Sequence, residues 1–202
     1  MKFETNRLIF RNWQETDIDD LIEGLNNLNV SKWLALVPYP YLKENAEKWI
    51  KYCIKNDMEN NKNGYEFAIV LKPNNKVIGG ISVSLINKIH GTAGGGIWIN
   101  EKYHGNGFGK EAFGEKIRFS FEDLGLRKLE NGFFDGNESS KKMQEYFGYK
   151  IEGKRRKKYY CMADGELKDE IITGLLKDEW EKYRTRECLT LNSSSVPGGR
   201  VR

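Results

Sequence analysis

The stretch that decides the fold is YHGNGFGKEAFGEKI, from Tyr103 to Ile117. It sets Gly105, Gly107 and Gly109 two residues apart, adds Lys110, and continues with the apolar spacing of an amphipathic helix. The first amides of a helix have no partner within it, the helix dipole adds partial positive charge, and glycines allow close approach. The stretch therefore predicts either an anion site at a helix start or a glycine-rich turn without a ligand.

Two nucleotide-binding patterns do not fit this stretch. In a P-loop, G-x-x-x-x-G-K-[ST], Gly109 would be the second glycine, but His104 occupies the first glycine position. Glu111 replaces the hydroxyl residue, and its carboxylate would repel phosphates. The dinucleotide pattern G-x-G-x-x-G needs its third glycine one residue later than Gly109. Both nucleotide classes are therefore excluded.

The bulk properties predict one folded domain. The chain has 202 residues, of which 39% are hydrophobic and 31% charged, values typical of a globular protein with one sizeable core. No run approaches the ~20 apolar residues of a membrane span, and the charged N-terminus is unlike a secretion signal. The net charge of +4 suits an anionic ligand. We expect a cytoplasmic protein without a membrane partner.

The cysteines and histidines indicate neither a disulfide framework nor a metal site. Cys53, Cys161 and Cys188 are scattered and odd in number, which fits a reducing cytosol. His90 and His104 have no cysteine near them in sequence with zinc-site spacing. We expect no metal.

The order of elements predicts an α+β chain. Apolar patterns indicate a strand, two helices, three strands, a helix, a strand, a helix and two strands. The third strand of the middle group is Gly94–Asn100, the next is Lys128–Asp135, and Asn137 follows as a helix cap. We expect residues 1–183 to form a single domain and residues 184–202 to be a disordered or vector-derived tail.

Four segments carry a family resemblance: ETNRLIFRNWQETDIDDL (4–21), IWINEKYHGNGFGKEA (97–112), LGLRKLENGFFDGNESSKKMQEYFGYKIEG (124–153) and LLKDEW (175–180). In this order they resemble the GNAT superfamily of acetyl-CoA-dependent N-acetyltransferases, closest to the ribosomal-protein N-terminal acetyltransferase branch. The resemblance covers Phe3 to Trp180. It implies a mixed, mainly antiparallel sheet of about seven strands flanked by about four helices.

The resemblance implies acetyl-CoA, bound as coenzyme A after transfer, as the cofactor. Its pyrophosphate would lie on the loop amides of His104, Gly105, Asn106, Gly107, Phe108, Gly109 and Lys110. Its pantetheine arm would pair with the strand at Ile97, Trp98 and Ile99, and the acetyl group would sit where this strand parts from Lys128–Asp135. Asn137 would face the reaction centre, and it also reads as a plain helix cap.

The resemblance identifies fewer catalytic residues than cofactor-binding residues. Ser140 matches a serine that the ribosomal-protein branch uses, and we take Ser140 with Asn137 as the catalytic candidates, Ser140 as the acid. Gln144 stands where many relatives have a tyrosine acid, and Gly94 stands where many have a glutamate base. Asp164, Glu166 and Tyr159 lie in the segment where this branch can place a base. A solvated helix serine is the plain alternative for Ser140.

The missing glutamate favours an acceptor amine of low pKa. A lysine amine, pKa ~10.4, needs about 4–5 kcal/mol to be neutral at pH 7, whereas an α-amine near ~8 needs about 1–1.5 kcal/mol. A protein N-terminus is therefore the expected acceptor. Trp33, Tyr39 and Tyr41 are the candidate substrate-binding residues, and they read equally as core aromatics.

Other functions stay open at this point. A polyamine or aminoglycoside acceptor would need an acidic groove, for which Glu15–Asp20 is the obvious cluster. A non-catalytic acetyl-CoA or RNA-binding module could share the fold, although KRRKK at Lys154–Lys158 reads more readily as a solvated strand face. We expect an amine-bearing acceptor as partner and no nucleic acid, and the sequence leaves a homodimer open.

Overall fold

The computed structural model describes residues 1–58 and 63–184. Within them, nine strands form one mainly antiparallel sheet with helices on both faces, which confirms the predicted α+β class. The tail expected from residue 184 lies outside the described residues apart from Arg184, which is helical.

The strands are β1 Lys2–Glu4, β2 Leu8–Asn12, β3 Gly64–Leu71, β4 Lys76–Asn87, β5 Thr92–Gly94, β6 Ile97–Ile99, β7 Lys128–Phe134, β8 Lys150–Tyr160 and β9 Leu167–Leu176. Their order in the sheet is β1-β2-β3-β4-β5-β7-β9-β8, with β6 also paired to β4. The β5–β7 pair is parallel, and the other pairs are antiparallel.

The helices are α1 Ile18–Leu25, α2 Leu28–Ser31, α3 Lys43–Met58, α4 Phe108–Arg118, α5 Glu138–Tyr146 and α6 177–184. A π-helical turn, Phe119–Asp123, extends α4 until Gly125 turns the chain with a φ of 66°. The nine strands exceed the expected seven because β1 is short and lacks a readable sequence pattern and because one predicted strand is divided in two. The six helices exceed the expected four because one-turn α2 and terminal α6 also lack such a pattern.

The predicted strand Gly94–Asn100 is divided into β5 and β6. Gly95 has a φ of +117°, and a Cβ at this residue would lie 2.2 Å from the Ser82 carbonyl oxygen. Only glycine fits such a position. Both halves pair with β4, but β5 continues to pair with β7 whereas β6 does not. The sheet therefore opens between β6 and β7.

The sheet has an apolar core on each face, and β3 contributes to both. Phe67 and Ile69 join the core beneath α4, whereas Ala68 and Val70 join the core beneath α1 and α3. Because side chains alternate along a strand, Glu66 lies on the α1/α3 face with Ala68 and Val70. The two cores fix the flanking helices, and with them the start of α4.

Cys53 and Cys161 are buried free thiols, while Cys188 lies outside the described residues. Among the helices described, none is both long and apolar enough to cross a bilayer.

Candidate active site

A groove of about 520 Å³ opens where β6 leaves β7. We call it the splay groove. Its lining comes from β6, the loop before α4, β7 and the start of α5, and includes Ile97, His104, Gly107, Asn131 and Asn137. The split in the sheet thus creates a cleft next to a helix N-terminus, as the sequence predicted.

The start of α4 presents unpaired amides to this groove. Gly107 caps the helix in the left-handed region with a φ of 78°, and the first backbone bond runs from Glu111 N–H to its carbonyl at 3.0 Å. The amides of Phe108, Gly109 and Lys110 precede that bond and point out of the helix. Nothing lies within 4 Å of a Cβ built on Gly105. The loop is therefore open and suited to an anion.

Glu111 fastens this loop to the start of β2. Its carboxylate accepts hydrogen bonds from the Thr5 hydroxyl, the Arg7 amide at 3.1 Å and Arg7 Nε at 2.7 Å. Arg7 also donates to the Asn106 carbonyl at 2.9 Å. Burial alone would raise the pKa of Glu111, but the bonds from Thr5 and Arg7 hold this pKa below its ordinary value. The glutamate that excludes a P-loop thus has a structural role.

The free edge of β6 faces the splay groove. Gly96 O accepts from Ser82 N at 2.9 Å and Asn100 N donates to Ile78 O at 2.8 Å, so the even-numbered backbone groups bond to β4. Because alternate groups point the opposite way, those of Ile97 and Ile99 face the groove. His104 Nε2 lies 2.8 Å from the Ile99 carbonyl oxygen and ties the loop to this edge.

Asn137 and Ser140 lie at the far wall of the groove. Asn137 caps α5 by accepting from the Ser140 amide at 3.1 Å, as predicted. Gln144 Nε2 donates to Ser140 Oγ at 3.1 Å, while its amide oxygen accepts from the Thr173 hydroxyl. Because Ser140 Oγ receives a hydrogen bond, its own proton is available to a group in the groove. Gln144, buried at 3% exposure, supports Ser140 where a tyrosine was expected.

Lys116 on α4 contacts both sides of the opening between β6 and β7. The side chain is 2% exposed, and its Nζ donates to the Gly95 carbonyl at 2.7 Å and to Asn131 Oδ1 at 3.5 Å. Burial lowers the pKa of Lys116 to about 7, while the charge of Glu66 acts in the opposite direction. The sequence analysis missed this residue, although a lysine between Ala112, Phe113 and Ile117 was a visible signal.

A second cavity of about 640 Å³ lies on the α1/α3 face of the sheet. We call it the Glu66 cavity. It shares Leu34, Gly96, Ile97 and Trp98 with the splay groove, so the two meet at β6. Burial raises the pKa of Glu66 to about 7, and the charge of Lys116 limits this rise. The sequence analysis also missed Glu66, a polar residue on a strand face that is otherwise apolar.

The predicted acceptor residues are dispersed. Trp33 lines the splay groove, and Tyr41 lines the Glu66 cavity at 4% exposure. Burial raises the pKa of Tyr41 to about 12. Tyr39 is 45% exposed and lies in neither lining. Their roles in binding stay predictions.

In the segment where a base was expected, the candidate side chains contact other residues of the protein. Lys168 binds Asp164 at 2.7 Å and also pairs with Glu166, and the Tyr159 ring packs on Phe134. At Gly94, a Cβ would lie 2.7 Å from the Glu130 carbonyl oxygen. The close approach of β5 to β7 therefore leaves no room for a glutamate there.

The two clusters of strong charge found in the sequence are neutralised in part by neighbouring residues. Asp17 binds Arg11 at 2.7 Å, and Asp20 binds Lys76 at 2.6 Å. In the basic run, Lys154 pairs with Asp135 and Asp169, and Arg155 pairs with Glu170. Among the described residues, Glu15 and Asp19 in the acidic cluster and residues 156–158 in the basic run have no recorded ion pair and are exposed.

The splay groove fits coenzyme A chemically. The α4 amides and the open Gly105 suit a pyrophosphate, and the free edge of β6 suits the amides of a pantetheine arm. The opening beside Gly96 would then hold the acyl thioester, since nothing lies within 4 Å of a Cβ built there.

Residues 7–150 match the acetyltransferase (GNAT) domain family. The N-acetyltransferase p20 of Bacillus licheniformis, itself uncharacterized, is 28% identical over 176 residues, covering 87% of this chain and 96% of the relative.

Solved structures share the fold. The spermidine N-acetyltransferase from Vibrio cholerae, in complex with CoA and spermine, superposes with a TM-score of 0.73 at 21% identity, covering 88% of this chain and 99% of that chain. The ribosomal-protein-S5-alanine acetyltransferase from Vibrio fischeri gives 0.70 at 21% identity, covering 89% and 98%. These likenesses confirm the expected fold.

Proposed function

This chain belongs to the acetyltransferase (GNAT) family and is an N-acetyltransferase, and from this premise we propose that it acetylates the α-amine of a protein or peptide N-terminus. The donor is acetyl-CoA, which supplies an activated thioester when bound. The chain's own residues position the donor, stabilise developing charge and move protons.

Three groups of the splay groove support the reaction. The amides that precede Glu111 in α4 bind the pyrophosphate and so fix the donor's position. A backbone N–H on the free edge of β6, at Ile97 or Ile99, faces the developing oxyanion. Ser140 donates its proton to the departing thiolate, since its oxygen is already held by Gln144 Nε2 at 3.1 Å.

The lining of the Glu66 cavity carries the choice of acceptor. Its described lining is mainly apolar and aromatic, with Glu66 as its one carboxylate and Lys48 as its one cation. A polyamine carries several positive charges and would need several carboxylates. A chain terminus brings one ammonium group next to peptide and side-chain surface. This cavity therefore suits a single amine on an uncharged body.

The charge clusters support the same choice. Asp17 and Asp20, the centre of the acidic cluster at Glu15–Asp20, are paired with Arg11 and Lys76. A polycationic small molecule would have to compete with these ion pairs. This pairing favours the α-amine acceptor over the polyamine and aminoglycoside alternatives, for which Glu15 and Asp19 of this cluster stay exposed.

The proposal is tested in two steps. A thermal-shift titration with coenzyme A is expected to stabilise the protein; if it does not, the cofactor assignment is overturned. Thiol release is then measured with a lysine-free peptide with a free N-terminus, an N-blocked peptide with one lysine, spermidine and an aminoglycoside.

We expect the free N-terminus to react fastest. Faster turnover of spermidine or of the aminoglycoside would overturn the α-amine assignment. A pH–rate profile that rises to pH 10, with lysine amines preferred, would do the same. Stabilisation by coenzyme A without turnover of any acceptor would indicate a non-catalytic module.

A further inference from the structure

Glu66 is a charged residue on an inner strand of the sheet, on a face whose other residues are apolar. It lies on β3 next to Ala68 and Val70, which join the apolar core beneath α1 and α3. Across residues 1–58 and 63–184, the structure records no hydrogen bond or ion pair to its carboxylate, and burial raises its pKa to about 7. A half-buried carboxylate of this kind points to a proton-transfer role.

Its position relates it directly to the reaction centre. Glu66 is the cross-strand partner of Ser82 on β4. Ser82 is in turn joined to Gly96, with Ser82 N donating to Gly96 O at 2.9 Å and Gly96 N donating to Ser82 Oγ at 3.0 Å. Two strand spacings, about 10 Å, therefore separate the backbone of Glu66 from the point where the two cavities meet.

Glu66, Ser82 and Gly96 line the same cavity, so an amine held at the junction would share that space with the carboxylate. Trp13, Trp49 and Trp98 also line the cavity, and their apolar surface favours a neutral amine over an ammonium ion. A carboxylate that meets the acceptor there, directly or through one water, can act as its general base.

We propose that Glu66 is the general base that removes a proton from the acceptor ammonium before it attacks the acetyl thioester. This inference rests on the proposed function for its acceptor. The N–H bond of the ammonium breaks and its proton forms an O–H bond on Glu66. The neutral amine then forms the C–N bond, the C–S bond breaks, and the thiolate takes the proton of Ser140. The amine's second proton restores the Ser140 hydroxyl through solvent, and Glu66 releases its own proton to solvent, so one proton is released for each acetyl group transferred.

The groups around Glu66 leave it as the proton acceptor of this cavity. From α3, Lys48 and Tyr52 reach the lining. Cys53 is buried. Its burial, and to a smaller extent the charge of Glu66, raises the pKa of its thiol far above the usual range. Tyr41 faces the cavity from the preceding loop, and burial keeps its phenol protonated at neutral pH by raising its pKa to about 12.

Two cations approach Glu66 from neighbouring elements. Arg11 on β2 faces the same side of the sheet but is bound by Asp17 at 2.7 Å. Lys116 acts through the sheet from α4, and its charge lowers the pKa of Glu66. Glu66 therefore titrates near neutral pH under the influence of Lys116.

A base of this strength also discriminates between acceptors. Proton transfer from an α-amine of pKa ~8 to a group near 7 is unfavourable by about tenfold, but from a lysine of pKa ~10.4 by more than about a thousandfold. The base thus adds to the preference for a chain terminus.

The experiment compares wild type, E66Q, E66D and the control E44Q, which makes the same charge change at an exposed site on α3. Each variant is titrated with coenzyme A by thermal shift, and kcat is measured against pH for two acceptors. One is a peptide with a free N-terminus, and the other is a small amine whose pKa lies below the assay pH.

We expect E66Q to bind coenzyme A normally and to lose about 100-fold in kcat with the peptide, whereas the low-pKa amine keeps most of its rate because it needs no base. With the peptide, kcat of wild type should level off above pH 7, whereas kcat of E66Q should keep rising until the pH reaches the pKa of the peptide's α-amine. E66D should retain part of the activity, and E44Q should match wild type.

Equal loss with both amines, or no loss with either, would overturn the role of Glu66. If E66Q fails to fold, the test uses the pH dependence of kcat in wild type and in E66D. If kcat with the peptide does not change near pH 7 in either protein, the role of Glu66 is also overturned. If the wild type acetylates no α-amine but does acetylate the small amine, the proposed acceptor fails. The role of Glu66 is then measured with the small amine below its own pKa, where the amine is protonated, and an equal kcat in E66Q and wild type there would overturn that role.

Discussion

Lys116 Nζ donates a hydrogen bond of 2.7 Å to the carbonyl oxygen of Gly95, the residue at which the sheet divides. The same nitrogen lies 3.5 Å from Asn131 Oδ1 on β7. One buried cation therefore contacts both walls of the splay groove, and its charge also reaches Glu66 on the opposite face.

Replacing this lysine should shift the pH dependence of the enzyme. In K116M the positive charge that lowers the pKa of Glu66 is removed, so this pKa rises and the acidic limb of the kcat profile moves to higher pH. Methionine preserves the apolar volume, but the Gly95 carbonyl and Asn131 Oδ1 lose their donor, so K116M should also be less stable than wild type. Steady-state kinetics from pH 5 to 9 measure the shift. An unchanged limb would show that Lys116 has no electrostatic influence on the base.

Removing the carboxylate of Glu66 should stabilise the fold at high pH. The pKa of Glu66 is raised to about 7, so between pH ~4.5 and ~7 the native state holds this proton more tightly than the unfolded state. Raising the pH through this range therefore lowers the free energy of unfolding. We expect E66Q to exceed wild type by about 1–2 kcal/mol at pH 8 and to match it near pH 4.

Urea denaturation at several pH values measures this difference, with E44Q as the control. A constant offset between E66Q and wild type from pH 4 to 8 would contradict the raised pKa. A stabilised variant that has lost activity would show that the apolar setting of Glu66 serves the reaction rather than the fold.

Glycines 94 and 96 should respond in opposite ways to the same substitution. A Cβ at Gly94 would lie 2.7 Å from the Glu130 carbonyl oxygen, whereas nothing lies within 4 Å of one at Gly96. We expect G94A to lose about 1–3 kcal/mol of unfolding free energy. G96A should stay within about 0.5 kcal/mol but weaken coenzyme A binding, because its methyl enters the junction of the two cavities. Denaturant titration and calorimetry measure the pair, and equal stabilities would refute the close approach at Gly94.

The hydroxyl of Ser140 should be needed for turnover but not for binding. S140A removes the proton donor and should lower kcat about 10-fold to 100-fold, a moderate effect for a general acid. S140T keeps a hydroxyl at this position and serves as the matched control. Unchanged kcat in S140A with intact binding of coenzyme A would remove Ser140 from the mechanism.

Glu111 should stabilise the α4 loop only while it is ionised. Its pKa lies below the ordinary value, so its contribution is full above the unfolded pKa of ~4.3 and is lost as the pH falls through the lower native pKa. E111Q should therefore be less stable than wild type at pH 7 and bind coenzyme A about threefold to tenfold more weakly. The stability difference should vanish in acid, and a difference that persists below pH 3 would contradict the ionic contacts.

Local patterns in the sequence were sufficient to predict the glycine loop and the helix start that follows it. The spacing of Gly105, Gly107 and Gly109 before an amphipathic helix predicted unpaired amides at α4, because a helix start always has such amides. Asn137 was likewise identified as a cap from its position before α5. The element order and the four quoted segments were sufficient for the fold, because each depends on residues close together in the chain.

The tertiary structure alone decided the surroundings of Glu66 and Lys116. They are 50 positions apart in the chain, and although each stands among apolar residues in its own segment, only the assembled sheet raises the pKa of Glu66 and lowers that of Lys116. The division of Gly94–Asn100 into two strands depends on the distance from Gly95 to Ser82, which no local pattern contains. Burial and cross-strand contact are properties of the packed sheet, so the carboxylate that we propose as the base could be identified only from the assembled sheet.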